Sequence, residues 1–563
     1  MDVIKIIRVF FSFLSVLILS TAYCAAESKQ AAIASAHPLA TQVGINILRQ
    51  GGNAFDAAAA ITASLAVVEP YSSGLGGGAF WLLHRSSDNK QIMIDGREKA
   101  PMLSTHDMYL DKAGDVIEGL SLNGPKAAGI PGVPAGIEHL VQNYGRLSLK
   151  QVLTPAIEQA QKGFTVSERY QKLMSYRKDV VRQYPSAAKI FLNKHKVPAI
   201  GELIVQKDLA KTLAALATFG RKGFYQGPIA KQMVSSVINN GGIWQLEDLR
   251  EYQVIEREPI ILNYNGIKII SAPPPSSGGI VMGQALNILE QYNLEEFDSI
   301  TRKHLVIEAM RRAYRDRAAY LGDADFIDIP VERLLDKNYA EGLALTIDLK
   351  RATPSGKLSN IATIEQKGTD TTHFSVVDKE GNRVSATLSI NLPFGSGFVA
   401  DGTGVLLNNE MDDFSVKPLT ANSYGLVGDH ANSIVPNKRP LSSMTPTFLE
   451  TDDRIAVLGT PGGSRIISMV LLGVLNFAEG KTPNSWVNLS RYHHQYLPDQ
   501  VEFEQGGLSD AEQVALKDKG HILKEKNRRY GNMQAIMIWK SKELIFAASD
   551  PRGEGSAKVF YYP

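Results

Sequence analysis

Thr371-Thr372-His373-Phe374-Ser375-Val376-Val377-Asp378 starts as a strand directly behind Lys350 to Asp370, a polar and poorly patterned stretch that reads as an exposed loop. A threonine at such a junction suggests chain cleavage and a new N-terminus. Alone, its hydroxyl is a weak nucleophile, but a free α-amine on the same residue can act as its general base. That amine titrates near pH ~8, so much of it is available as a base at neutral pH. An ordinary loop-to-strand boundary would look the same locally, and only the residues beyond Val377 separate the two.

Those residues form a hairpin. Asp378-Lys379-Glu380-Gly381-Asn382 supplies the turn, with Gly381 suited to its left-handed position. On the returning strand Val384, Ala386, Leu388 and Ile390 face one side, and Ser385, Thr387, Ser389 and Asn391 the other. A turn centred near residue 380 puts Ser389 across from Thr371 to within about one residue, with Asn391 one step further along the polar face. A half-solvated strand would alternate in the same way.

Further motifs stand in a fixed order around this hairpin. They are Gly51-Gly52-Asn53-Ala54, Gly74-Leu75-Gly76-Gly77-Gly78, Asp95-Gly96-Arg97-Glu98, Asn391-Leu392-Pro393-Phe394-Gly395, Asn408-Asn409-Glu410-Met411-Asp412-Asp413-Phe414, Pro440-Leu441-Ser442-Ser443-Met444 and Gly459-Thr460-Pro461-Gly462-Gly463-Ser464. With Thr371-Thr372-His373 they resemble the γ-glutamyltransferases (γ-glutamyltranspeptidases), a family of the N-terminal-nucleophile hydrolase fold. The resemblance covers essentially the whole chain beyond its N-terminal segment. It implies an α+β protein, a four-layer αββα sandwich formed jointly by two subunits cut from one precursor. Cleavage between Asp370 and Thr371 would give a large subunit of residues 27–370 and a small subunit of residues 371–563, held as a heterodimer.

Residue by residue, the resemblance implies Thr371 as nucleophile and, through its α-amine, as base. Ser389 stands where many members carry threonine, and either hydroxyl can donate to Thr371. Arg97 would clamp a donor α-carboxylate, a group that suits a planar guanidinium, with Ser442 and Ser443 as hydroxyl donors to it. Asp413, Glu410 and Asn391 would hold the α-ammonium. Gly462 and Gly463 would form the oxyanion hole through backbone N–H groups. Tyr424, in the segment Pro418 to Asn432, matches a lid tyrosine. The implied reaction is γ-glutamyl transfer from glutathione and other γ-glutamyl compounds to water, amino acids or dipeptides, without a cofactor. An acylase for glutaryl or cephalosporin side chains would share the fold and Thr371 but have less use for an ammonium site. A non-enzymatic exported binding protein would need neither Thr371 nor the set around it.

Composition agrees. The 563 residues are 44% hydrophobic and 21% charged, with 60 basic and 58 acidic side chains and a net charge of +2, ordinary globular values without a basic block for a nucleic-acid groove. Residues 1–26 read as a signal peptide: Lys5 and Arg8, an apolar run from Val9 to Leu19, then Cys24-Ala25-Ala26 as a small-residue cleavage site. Export to the periplasm or the medium is expected. Cleavage there removes Cys24, the single cysteine; a lipid-anchored Cys24 is disfavoured by the bulky Tyr23 before it. Helices are predicted from Pro38 to Arg49 and from an Asn53 cap, with Asp56 three residues on, to Pro70. The Gly74–Gly78 cluster lacks the Lys-Ser/Thr of a phosphate loop and is expected to serve close backbone packing. A helix from His304 to Tyr320 carries Arg311, Arg312, Arg315 and Arg317, expected in surface or inter-subunit ion pairs. Adjacent His493 and His494 cannot easily share a metal, and no metal site is expected.

Overall fold

The computed structural model describes residues 30–358, 371–417 and 420–562. The signal segment 1–26, with Cys24, and Asp370 lie outside the described residues.

Two antiparallel sheets pack face to face. The seven-stranded sheet runs Ser556–Tyr561, Gln30–Ser35, Thr372–Val377, Arg383–Ser389, Gly78–Arg85, Lys90–Gly96, Ile255–Arg257. The six-stranded sheet runs Leu544–Ser549, Gln534–Trp539, Arg454–Gly459, Thr447–Glu450, Ile267–Ser271, Ile260–Tyr264. Alternate residues divide the first sheet between two cores. Ile33, Trp81, Leu83, Phe374, Val376 and Leu388 pack against the helices Pro38–Arg49 and Ala54–Val68, while Ala32, Phe80, Leu82 and Val377 face the second sheet. The far side of the second sheet is covered by Gly278–Leu289, Ser299–Tyr320 and Ile466–Ala478. The result is the αββα sandwich expected from the sequence.

Local chemistry sets the elements where the sequence said it would. Pro38 occupies the first turn of its helix, and Asn53 and Asp56 form a reciprocal capping box that starts the next. The hairpin turns at Gly381 with φ +86°. The polar face of Arg383–Ser389 is not half-solvated, however. Every residue of both hairpin strands is buried, and the polar face hydrogen-bonds into the second sheet: the Ser375 hydroxyl donates to the Gln534 carbonyl at 3.0 Å and that of Ser385 to the Leu458 carbonyl at 3.0 Å.

Strands from either side of residue 370 are interleaved. Thr372–Val377 lies between Gln30–Ser35 and Arg383–Ser389, and Thr447–Glu450 pairs with Ile267–Ser271. Neither segment alone holds the seven-stranded or the six-stranded sheet.

Candidate active site

The hairpin register carries Thr371 to its place. Leu388 pairs with Thr372, so Ser389 lies opposite Thr371, one step beyond the last pair, as the turn position predicts. The glycine cluster closes over this end of the strand. A Cβ on Gly77 would lie 2.2 Å from the Ser389 carbonyl oxygen, and one on Gly76 2.1 Å from that of Leu406. Close packing, not phosphate binding, is its role.

Thr371, only 4% exposed, lines a cavity of about 20 Å³ together with Ser389, Asn391, Arg97, Glu410, Asp413, Ser442, Ser443, Tyr424 and Gly463. Every implied side chain except those outside the described residues is therefore in one place. Gly462 lines an adjoining cleft instead.

Arg97 follows the strand Lys90–Gly96 and is fixed through its backbone, its N–H donating to Asp95 at 2.9 Å and its carbonyl accepting from the Tyr252 hydroxyl at 2.7 Å. Its buried guanidinium pairs with Glu410, lies 2.6 Å from Asp413 Oδ2 and 3.4 Å from Glu98, and donates to the Pro440 carbonyl at 3.2 Å. Glu410 and Asp413 converge on it because Glu410–Asp413 is a tight 3₁₀ turn, started by Asn408 Oδ1 accepting the Glu410 N–H at 2.9 Å. Burial pushes the carboxyls of Glu98, Glu410 and Asp413 up, and the Arg97 charge opposes it. Three carboxylates around one guanidinium also repel one another, which adds to the upward shift. Asn391 leaves the strand with φ +70°; its N–H donates to Ser389 Oγ at 2.8 Å and its side-chain amide to the Asn409 carbonyl at 2.9 Å. Asn391 Oδ1 and Glu410 Oε2 are buried without a hydrogen-bond partner among the described residues.

Ser442 is held by its N–H to the Pro275 carbonyl at 2.8 Å, while its Oγ accepts from the Met444 N–H at 3.1 Å. Ser443 Oγ accepts from Arg317 Nη2 at 3.2 Å, which leaves its own hydrogen available to an acceptor.

Arg317 is the residue that sequence reasoning missed. Of the four helix arginines, Arg311, Arg312 and Arg317 are buried rather than at the surface. Arg311 pairs with Glu308 and with Asp499, Arg312 with Glu308, and Arg315 with the adjacent Asp316. Arg317 has no carboxylate of the described residues within ion-pair distance; it donates to Ser277 Oγ at 3.0 Å and to Ser443, and lines the cavity. Burial pulls its pKa down to about 10, against the nearby Tyr314 and Asp413. Nothing local marked it as buried or showed which cavity it would enter.

Tyr424, the expected lid residue, lines the cavity. The side chain is buried, its hydroxyl donates to the Asn391 carbonyl at 2.8 Å, and a Cβ on Gly463 would lie 2.2 Å from its ring. Asn422, beside it, donates to Asp413 Oδ1 at 3.3 Å. Gly462 and Gly463 have φ +148° and +59° and lead through a 3₁₀ turn into the helix Ile466–Ala478. Backbone N–H groups at such a start are unpaired donors with the helix dipole behind them.

Among the described residues one group, His304, Glu308 and His521, has metal-like spacing. Its atoms are already engaged: His304 bonds His521 at 2.7 Å and the Asp348 carbonyl at 2.9 Å, and Glu308 serves two arginines. His493 and His494 are buried and bond Ser468 and Asp499, respectively.

Residues 40–560 match the family described as gamma-glutamyltranspeptidase. The chain belongs to that family. It is 42% identical over 531 residues to a glutathione hydrolase proenzyme of Escherichia coli K12, covering 93% of this chain and 91% of that protein. It is 40% identical over 548 residues to one of Pseudomonas aeruginosa, covering 96% of each. Among solved structures, a cephalosporin acylase from Bacillus halodurans aligns with TM-score 0.83 at 28% identity, over 94% of this chain and 96% of that one. A Helicobacter pylori gamma-glutamyltranspeptidase chain aligns with TM-score 0.56 at 43% identity, over 57% of this chain and 93% of that one. The fold is thus shared with an acylase, and the cavity's chemistry has to separate the two activities.

Arg97→Lys tests that cavity directly. Lysine keeps the charge but loses the planar fork. Loss of a charge-assisted hydrogen bond costs about 1.5–3 kcal/mol, so kcat/KM for a γ-glutamyl anilide is expected to fall at least ~10-fold while chain cleavage persists. Steady-state kinetics and a denaturing gel read both; unchanged kcat/KM would give Arg97 another role.

Proposed function

We propose that this protein is a glutathione hydrolase and γ-glutamyltransferase that matures by cutting itself between Asp370 and Thr371 into segments 27–370 and 371–563. The observation that carries this reading is the pair of buried, unpartnered acceptors, Asn391 Oδ1 and Glu410 Oε2, in the cavity that also holds Arg97, Ser442 and Ser443. Two guanidinium groups, Arg97 and Arg317, the hydroxyls of Ser442 and Ser443 and a cluster of acceptors complement the α-carboxylate and α-ammonium of an amino-acid end. On binding, the donor carboxylate takes Arg97 from Glu410 and Asp413, and the ammonium takes their oxygens.

In the first step Thr371 Oγ attacks the γ-carbonyl carbon, and the Thr371 α-amine accepts the hydroxyl proton. N–H groups of Gly462 and Gly463 hold the tetrahedral oxygen. As the C–N bond breaks, that proton passes to the departing amine, leaving a γ-glutamyl ester. Water, an amino acid or a dipeptide then attacks the ester, the α-amine again taking a proton and returning it to Thr371 Oγ. Every proton is accounted for within the chain and its substrates. The apolar leader at residues 9–19 supports export, and no helix of the described residues is long and apolar enough to cross a membrane.

Matched γ-glutamyl and glutaryl anilides separate this reading from the acylase. A glutaryl group has no ammonium, so the acceptors around Glu410 and Asp413 stay unpaired, which costs a few kcal/mol. The wild type is expected to prefer the γ-glutamyl anilide at least ~100-fold in kcat/KM, and Asp413→Asn to narrow the gap by weakening that donor. Equal kcat/KM on the wild type would make the protein an acylase.

A further inference from the structure

The last turn of the helix Ser299–Tyr320 brings a buried cation to the donor cavity with no carboxylate of the described residues paired to it. The other three arginines of that helix are answered by Glu308 or Asp316. A buried charge without a counter-charge is costly. The fold offsets that cost only in part: the last turn of a helix favours a cation through its dipole, and Asp413, on the wall of the same cavity, acts on Arg317 from beyond ion-pair distance.

The hydrogen bonds of Arg317 all lead to one strip of chain. Its Nε donates to Ser277 Oγ at 3.0 Å, and that hydroxyl donates in turn to the Ser442 carbonyl at 2.8 Å. Its Nη2 donates to Ser443 Oγ at 3.2 Å. A mechanical tie is not needed there, because the strip is held without Arg317. The Ser277 N–H donates to the Ser442 carbonyl and the Ser442 N–H to the Pro275 carbonyl, both at 2.8 Å, and Ser276 Oγ donates to the Met444 carbonyl at 2.6 Å. What the arginine alone supplies is direction and charge. A hydroxyl has one hydrogen. With Arg317 filling a lone pair of Ser443 Oγ, that hydrogen is left for an acceptor in the cavity, and the positive charge behind the oxygen strengthens it as a donor.

We propose that Arg317 is a positioning residue for donor binding, one that acts through Ser443 by turning and polarising its hydroxyl toward the donor's α-carboxylate. The inference rests on the γ-glutamyl-transfer reading and adds to it a residue, on a helix far from the nucleophile hairpin in sequence, that sets donor affinity.

The test uses the purified, matured protein with γ-glutamyl-4-nitroanilide as donor. Wild type, Arg317→Gln, Ser443→Ala and the double variant are compared, each checked for chain cleavage on a denaturing gel. Arg317→Gln is expected to lower kcat/KM about 10-fold or more through KM, with kcat within about threefold of wild type, because the contact is made to the bound donor before the γ-carbonyl reacts. Ser443→Ala should do the same. Independent losses would multiply to about 100-fold; in the double variant the second substitution is expected to cost less than about threefold. Arg317→Lys keeps the buried charge and should recover part of the loss. It passes through the same cycle with Ser443→Ala, so the comparison stands even where glutamine at 317 prevents folding. Losses that multiply, a fall confined to kcat, or unchanged kcat/KM in Arg317→Gln overturn the inference while leaving γ-glutamyl transfer standing. A wild type that does not cleave the donor removes both.

Discussion

Thr371→Ala is expected to remain a single uncut chain with no measurable γ-glutamyl hydrolysis. The hydroxyl is the attacking group in both events: on the peptide bond after Asp370 during maturation, and on the γ-carbonyl afterwards. Alanine removes the only atom that can form the ester and changes nothing else of size, since Thr371 is buried at the start of a strand whose partners are set by the register with Leu388. Loss of a nucleophile lowers kcat by about 10⁶-fold where it has been separated from binding. Thr371→Ser should process slowly and retain part of the activity, because it keeps Oγ and, once cut, the α-amine, but lacks the methyl that restricts χ1. A denaturing gel, N-terminal sequencing of the smaller band and an anilide assay read all three points. A Thr371→Ala protein that is efficiently cut before residue 371 would remove Thr371 from the role of nucleophile.

Gly463→Ala should come next in size. Two independent constraints meet at this glycine. Its φ of +59° disfavours any side chain by about 1–2 kcal/mol, and the added Cβ would lie 2.2 Å from the Tyr424 ring. Something must move, and both movable parts belong to the site: the Gly462-Gly463 peptide with its N–H donors, or the ring whose hydroxyl holds the Asn391 carbonyl. Loss of one oxyanion donor lowers kcat about 10²–10³-fold, and kcat/KM for a γ-glutamyl anilide is expected to fall by about that much. Adding Tyr424→Ala relieves the overlap. If the clash with the ring is the cause, the double variant is more active than Gly463→Ala alone, although Tyr424→Ala by itself is less active than wild type. A Gly463→Ala enzyme within about twofold of wild type would separate this backbone from the oxyanion hole.

How much of this was legible in the chain depends on how far apart the cooperating residues lie. The nucleophile hairpin is local: a tight turn at Gly381 and a two-residue period place Ser389 opposite Thr371, and both could be read without knowing anything else about the protein. Helix starts at Pro38 and Asn53 are local in the same way, because a cap satisfies donors within three residues of itself. The wider site, Arg97, Glu410, Asp413, Ser442, Ser443 and Gly463, came from ordered motifs and not from spacing, since these positions lie up to several hundred residues apart and only the fold brings them to one cavity, with Gly462 at its border.

Burial and partnership were decided by tertiary structure alone. Alternation on Arg383–Ser389 gave the two faces correctly, but a polar face looks the same whether it meets water or the backbone carbonyls of a second sheet, as Ser385 does at Leu458. Arg311, Arg312, Arg315 and Arg317 read from the sequence as surface or inter-subunit ion pairs; Arg311 does pair with Asp499 on the other side of residue 370, but it and Arg312, which share Glu308, are buried, and Arg317 reaches Ser443. The sequence by itself determined the family and the register of the hairpin that follows Thr371. Which buried charges face one another, and that Asn391 Oδ1 and Glu410 Oε2 stand as acceptors beside Arg97, depended on two sheets and two helix layers closing over the same few ångströms, an arrangement set by long-range packing that no local pattern records.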